Sequence, residues 1–139
     1  MAAAAAVERE VELSAEMAAG PTDLSVDRLR LEQTLLNIVL NAVQACAEGG
    51  QVVVRAENNQ DGGFDFRVED SGSGIDATTL KQVFEPFFTT KIDGTGLGLA
   101  NARKIVEEHH GFIQVENRPQ GGALFVVHLP PERLYLREA

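Results

Sequence analysis

Read from the N-terminus, the chain first alternates. Val7, Arg9, Val11 and Leu13 stand against Glu8, Glu10 and Glu12, which predicts a short strand over Val7 to Ala15. Gly20-Pro21 breaks the chain. The period then becomes helical. Leu31, Leu35, Ile38, Ala42 and Ala45 recur at spacings of three and four between a capping Asp27 and about Ala47, and Gly49-Gly50 closes the segment. Gln51 to Ala56 and Phe64 to Glu69 are β-rich runs joined by Asn58-Asn59-Gln60-Asp61-Gly62-Gly63, which is hairpin chemistry. Ala77 to Val83 reads as a short helix, and Leu97 to His110 as a second long one closed by Gly111. Phe112 to Glu116 and Ala123 to Leu129 are two further strands, with Arg118-Pro119-Gln120-Gly121-Gly122 as their turn. Helices and strands interleave, yet both strand pairs look like hairpins. The expected architecture is α+β: a two-layer sandwich whose mixed, mostly antiparallel sheet carries its helices on one face.

Composition narrows the class. With 139 residues, 44% of them hydrophobic and 24% charged, the chain suits one globular domain. That domain is expected over 7–130, after an alanine-rich 1–6 read as disordered or as the remnant of an upstream helix, and before a loose tail at 131–139. Its net charge of −9 argues against nucleic acid as a partner. The single Cys46 cannot form an internal disulfide and reads as a small buried hydrophobe. No apolar run approaches the roughly 18 residues of a membrane span. A cytoplasmic location is expected, and a membrane anchor elsewhere in a full-length protein would be compatible with it.

Three groups of residues carry chemistry. Asn37 and Asn41, four apart, share one face of the first long helix, with Gln33 and Gln44 near that line. Asparagine is a mediocre helix former, so two within an apolar helix need a reason. One reason is a buried amide network. The other is an amide oxygen for Mg²⁺, which prefers hard oxygen ligands and takes part of its shell from phosphates. The second group is Asp70-Ser71-Gly72-Ser73-Gly74-Ile75. A carboxylate at a strand end can accept from an exocyclic amine such as that of adenine, and the glycines let the backbone approach a base. The overlapping Gly72-Ser73-Gly74-Ile75-Asp76-Ala77 imitates a dinucleotide fingerprint. Asp70 would repel the pyrophosphate there, however, and Asp93 does not end a second strand. The third group, Gly94-Thr95-Gly96-Leu97-Gly98-Leu99, opens a helix whose N-terminus favours anions. Lys91 just upstream is either a phosphate contact or a solvated charge. Between the glycine loops, Phe84, Phe87 and Phe88 suggest an anchored lid with one ring facing a partner.

Taken in order, Asn37…Asn41, Asp70-x-Gly72-x-Gly74, Phe84-Glu85-Pro86-Phe87-Phe88 and Gly94-x-Gly96-x-Gly98 resemble the N, G1, F and G2 boxes of the histidine-kinase ATPase family. Gyrase, Hsp90 and MutL ATPase domains belong to the same GHKL group. The short lid with Thr89-Thr90-Lys91 looks like that of the nitrogen-regulation and sporulation kinases. The resemblance implies the Bergerat ATP-binding fold, with ATP and Mg²⁺ as cofactors. It implies that Asn41 binds the metal, that Asn37 and Lys91 serve the phosphates, and that Asp70 reads adenine between Gly72 and Gly74. Gly94, Gly96 and Gly98 would close on the phosphates. Gln44, Ala45, Ile75, Phe84, Thr89, Thr90, Thr95, Leu97 and Leu99 complete the implied contacts. Relatives that hydrolyse ATP or phosphorylate serine resemble one another in having a Glu where this chain has Asn37. An amide cannot act as the base. A histidine acceptor needs less help, because neutral imidazole is already a nucleophile.

The implied function is the catalytic domain of a sensor histidine kinase. It would transfer the γ-phosphoryl of ATP to a histidine on a separate dimerisation domain, with a response regulator downstream. The isolated domain would be a monomer without autophosphorylation. None of His109, His110 and His128 lies in a His-Glu-x-x-x-Pro context, and the first two read as helix-end residues. Alternatives are a binding or scaffolding module without turnover, and a stand-alone serine kinase or ATPase of this fold. One departure is Gly122-Ala123-Leu124-Phe125, where the family often has a hydroxyl at the Ala123 position; weaker nucleotide affinity is the expected cost.

Overall fold

The computed structural model describes residues 6–7, 10–18, 28–60, 62–85 and 98–131. Five strands form one sheet: β1 (Glu12–Ala18), β2 (Gln51–Asn58), β3 (Phe64–Asp70), β4 (Phe112–Asn117) and β5 (Ala123–Leu129). The helices are α1 (Arg28–Ala45), the single turn α2 (Ala77–Leu80) and α3 (Gly98–Glu108). The spatial order is β1-β2-β3-β5-β4. β1 runs parallel to β2, a pairing that the crossover through α1 makes possible, and every other pair is antiparallel. The mixed, mostly antiparallel sheet agrees with the expectation from sequence.

Alternation along the strands separates the two faces. On one face Val52, Val68, Phe125, Val127 and Leu129 meet Ile38, Ala42 and Val43 of α1 and Ala102 and Val106 of α3 in a single core. Fully burying a Val, Leu, Ile or Phe side chain contributes about 1.5–3 kcal/mol. α1 packs along α3 and rests on β2 and β3, while α3 rests on β4 and β5. The opposite face is charged. Arg55 pairs with Glu16 at 2.8 Å and Glu69 at 3.1 Å, and Arg67 with Glu57 at 3.7 Å. Helices therefore lie on one side, and the other carries these ion pairs over β1 to β3 beside the buried Leu124 and half-buried Val126 of β5.

Four local expectations need correction. The first strand starts at Glu12, not Val7. Ala6 and Val7 are helical, and Glu10 turns the chain at φ +55 with its N–H on the Val7 carbonyl. Glu10 thus belongs to a turn, and Val7 is left 77% exposed. Ala45 is not part of the apolar stripe of α1 but is exposed; the buried line runs through Leu31, Thr34, Ile38, Ala42, Val43 and Cys46. Thr34 is accommodated there because its hydroxyl donates to the Arg30 carbonyl at 3.0 Å. The short helix ends at Leu80, and turns carry the chain to Phe84.

The last correction concerns the end of α3. The left-handed residue is His110 at φ +66, not Gly111. Gly111 N–H bonds to Val106 O at 3.0 Å and His110 N–H to Glu107 O at 3.0 Å, the paired bonds of a Schellman ending. Gly111 is needed for space, because a Cβ there would run into the His128 carbonyl. His109 is buried, with Nδ1 donating to the Ile105 carbonyl at 2.7 Å, which agrees with its reading as a helix-end residue.

Candidate functional site

The site begins with the face of α1 that the core does not use. With Ile38, Ala42 and Val43 turned inward, the helical period leaves Asn37, Asn41, Gln44 and Ala45 on the other side. Asn37, Gln44 and Ala45 are exposed and Asn41 is half-buried. The amides are thus not a network inside the core. Where α1 ends, Cys46 N–H bonds back to Val43 O at 3.2 Å and Gly49 takes φ +83, sending the chain into β2.

The glycine loop after β3 is brought to this face. Ser71 continues the pairing past the end of β3: its N–H donates to Gln51 O at 3.0 Å, and its hydroxyl accepts from Gln51 N–H at 2.8 Å. Gly72 then lies so close to α1 that a Cβ would stand 2.5 Å from the Ala45 carbonyl oxygen. No other residue fits that contact without moving the loop or the helix. Gly74 follows at φ +80, a conformation that favours glycine.

Asp70 is 2% exposed. Its Oδ1 accepts from Gly72 N–H at 2.9 Å and from Ala123 N–H at 3.2 Å. Among the described residues no donor reaches Oδ2, so one carboxylate oxygen is fixed and the other retains its capacity to accept. A carboxylate this buried is tolerable only with such bonds.

The turn between β4 and β5 forms the back of the loop. Asn117 spans it with both halves of its amide: Oδ1 accepts from Ile75 N–H at 2.7 Å and Nδ2 donates to Ile75 O at 2.6 Å. Arg118 donates from a terminal guanidinium nitrogen to Asp70 O at 2.7 Å. Gly122, at φ +85, packs its backbone against the Asp70 carbonyl. Sequence reasoning missed Asn117 and Arg118. The one available signal was an amide followed by a cation at the mouth of a Gly-Gly turn, and nothing in it pointed to a loop 42 residues earlier.

The structure therefore seats Gly72, beside the Asp70 carboxylate, on Ala45 at the end of α1, the helix that also carries Asn37, Asn41 and Gln44, while Gly74 and Ile75 meet Asn117. Phe84 instead packs against the core, edge-on to Phe125 with ring centroids 6.4 Å apart, and the Arg103 guanidinium stands 6.0 Å from its ring centre. Leu99 also leans on the core. Thr89, Thr90, Lys91, Gly94, Thr95, Gly96 and Leu97 lie outside the described residues, as do Phe87 and Phe88; Gly98 is the first residue of α3. A groove of about 410 Å³ lies between α2 and strands β4 and β5, and of the candidate residues only Phe84 borders it. The amide face and Asp70 are more persuasive as a site, because they combine a buried acceptor with open backbone at glycines.

A helical amide row beside a glycine loop with a buried carboxylate, on a mixed sheet covered by helices on one face, defines a nucleotide-binding ATPase domain. Comparison with known proteins gives the family. The chain belongs to the histidine kinase-, DNA gyrase B- and HSP90-like ATPases, whose profile matches residues 26–133. It is an ATP-binding catalytic domain of the histidine-kinase type. It is 40% identical over 126 residues to the signal transduction histidine-protein kinase AtoS of Escherichia coli (strain K12), covering 91% of this chain and 21% of AtoS. Over 107 residues it is 47% identical to the sensor histidine kinase ZraS of Klebsiella oxytoca, covering 77% of this chain and 23% of ZraS. The chain thus spans about a fifth of these curated relatives. Among solved structures, the nucleotide-free catalytic domain of the histidine kinase ThkA superposes with a TM-score of 0.80 at 35% identity, covering 91% of this chain and 82% of that one. ThkA has also been solved in complex with the response regulator protein TrrA, with a TM-score of 0.74 at 31% identity over 91% of this chain and 36% of that one.

Proposed function

We propose that this domain binds Mg-ATP on the amide face of α1 and delivers the γ-phosphoryl to a histidine of a separate dimerisation domain in the same full-length protein. The observation that carries the reading is the seating of Gly72 on the Ala45 carbonyl. It sets the buried Asp70 carboxylate at the end of the same helix face that presents Asn37 and Asn41. Asp70 accepts from the adenine amine, Gly72 and Gly74 admit the base, and Gln44, Ala45 and Ile75 border it. Asn41 and Asn37 face the phosphates. Thr89, Thr90, Lys91 and the run Gly94 to Leu99 are the further residues assigned to the phosphates, and Phe84 is assigned to the base of the segment between the glycine loops.

The donor chemistry fits a magnesium ion. Asn41 offers one hard, neutral oxygen, and among the described residues no cluster of three His, Cys, Asp or Glu gathers to bind a metal without help. Such an ion takes the rest of its shell from phosphate and water and neutralises charge on the phosphates. Asn37 stands where a general base would be needed for hydrolysis, and its amide cannot accept a proton at neutral pH. Transfer then rests on positioning a histidine nucleophile in line with the γ-phosphate.

The response regulator is the downstream partner, as the ThkA complex with TrrA supports. No helix among the described residues is long and apolar enough to cross a membrane, and we place the domain in the cytoplasm. Calorimetry with Mg-ATP tests the reading. Wild type should bind, and Asp70→Ala or Asn41→Asp should lose measurable binding while circular dichroism is preserved. Wild-type affinity in either variant would mean that the site is misplaced. Incubation with a histidine-bearing domain and labelled ATP should yield acid-labile phosphohistidine; phosphoserine or free phosphate alone would contradict the transfer step.

A further inference from the structure

Four residues at the β4–β5 turn hold one short stretch of chain. Asn117 pairs both halves of its amide with the backbone N–H and C=O of Ile75, much as a neighbouring strand would. Arg118 holds the Asp70 carbonyl, Ala123 N–H holds Asp70 Oδ1, and Gly122 packs against the same carbonyl. The turn itself is closed by Arg118 N–H on Gly122 O at 2.8 Å and Gly121 N–H on Arg118 O at 3.0 Å. Gly74 is confined between these parts: its φ is +80, and a Cβ would stand 2.8 Å from Asn117 Oδ1. Ile75 in turn packs on the core.

Nothing in the fold requires an exposed amide to bridge that gap. Asn117 is on the surface at the end of an edge strand, and its partners are solvent-accessible. A surface amide that holds both the N–H and the C=O of one residue fixes a backbone more than it stabilises a core. The residue it fixes immediately follows the glycines that would meet the base.

We propose that Asn117, supported by Arg118, is a positioning residue for base recognition, holding the Gly72–Ile75 loop so that Asp70 selects adenine over guanine. The selection follows from chemistry. Adenine presents an amine to a carboxylate acceptor, whereas guanine presents a carbonyl at the equivalent place, which a carboxylate repels. Discrimination needs the base held at one depth and angle; a loop free to shift would admit either base by re-seating it. This inference rests on the proposed nucleotide site.

The test is nucleotide binding by the isolated domain, with Mg-ATP and Mg-GTP titrated against wild type, Asn117→Ala, Asn117→Asp and Asp70→Ala. Asn117→Ala should raise the Kd for ATP ~10-fold and reduce the ATP-over-GTP preference by a similar factor, as expected for losing two well-made hydrogen bonds. The melting point without nucleotide should stay within about 2 °C of wild type, since exposed positions contribute little. Hydrogen exchange at the Ile75 amide should lose protection. Asn117→Asp keeps the acceptor for Ile75 N–H but turns an oxygen on Ile75 O, so it should behave like Asn117→Ala; it decides the matter if the alanine variant does not fold. Wild-type Kd and preference in these variants, with Asp70→Ala inactive, would overturn the proposal and leave the site standing. An equal loss for ATP and GTP would also overturn it, because that is what a merely structural role gives. No ATP binding by wild type would sink the nucleotide site itself.

Discussion

At the scale of single residues, backbone space decides more than side-chain chemistry. Gly122 combines a φ of +85 with the Asp70 carbonyl where a Cβ would go. Gly122→Ala meets both objections at once and should lower stability by roughly 2 kcal/mol or more. Urea unfolding would show it; an unchanged midpoint would mean the turn yields without loss. Glu10 offers a pH-dependent counterpart. Its carboxyl hydrogen-bonds to Glu48, and that bond, with a smaller contribution from burial, holds it above its ordinary value of 4.5. A folded-state pKa raised in this way stabilises the fold when the group is protonated. The contribution is complete below about 4.5 and fades as pH rises through the raised value. Glu48→Gln should flatten that decline, so the melting points of the two proteins should diverge above this range; parallel curves would refute the pairing.

Elements show where local pattern and final geometry part company. The period of three and four located α1 well, because its Ile38 and Ala42 obey the core. It placed Ala45 wrongly, since small apolar residues fit either face and only the seat of Gly72 explains this one. The first strand was misjudged because 7–10 alternate in charge while turning at Glu10. For α3, the glycine rule named the wrong residue: steric demand from the β5 carbonyl at His128 required Gly111, leaving His110 to take the left-handed conformation. A non-glycine residue there costs about 1–2 kcal/mol. His110→Gly should therefore raise stability by roughly 0.5–1 kcal/mol once the extra freedom of glycine in the unfolded chain is counted. Thermal unfolding of the variant measures it, and a loss would show that the imidazole contributes more than its backbone costs.

For the whole molecule, the hairpins and the one-sided layering were legible in turn residues and alternation. The strand order was not. Nothing local indicates that β5 inserts between β3 and β4, or that β1 lies parallel on β2, because pairing partners are chosen by long-range packing. The same limit hid the back of the site. Asp70 and its glycines were legible as chemistry, but Asn117 and Arg118 act across the sheet, and only the fold brings them there.

The missing hydroxyl at position 123 also takes on a different meaning. What aims Asp70 is a pair of main-chain N–H groups, those of Gly72 and Ala123, and the second is one that nineteen of the twenty genetically encoded residues carry. A serine there would change what lines the wall and still present that N–H, whereas proline would remove it and a bulky side chain would not fit the buried position. The orientation of the carboxylate is thus a property of the main chain at this point and asks nothing of the side chain beside it.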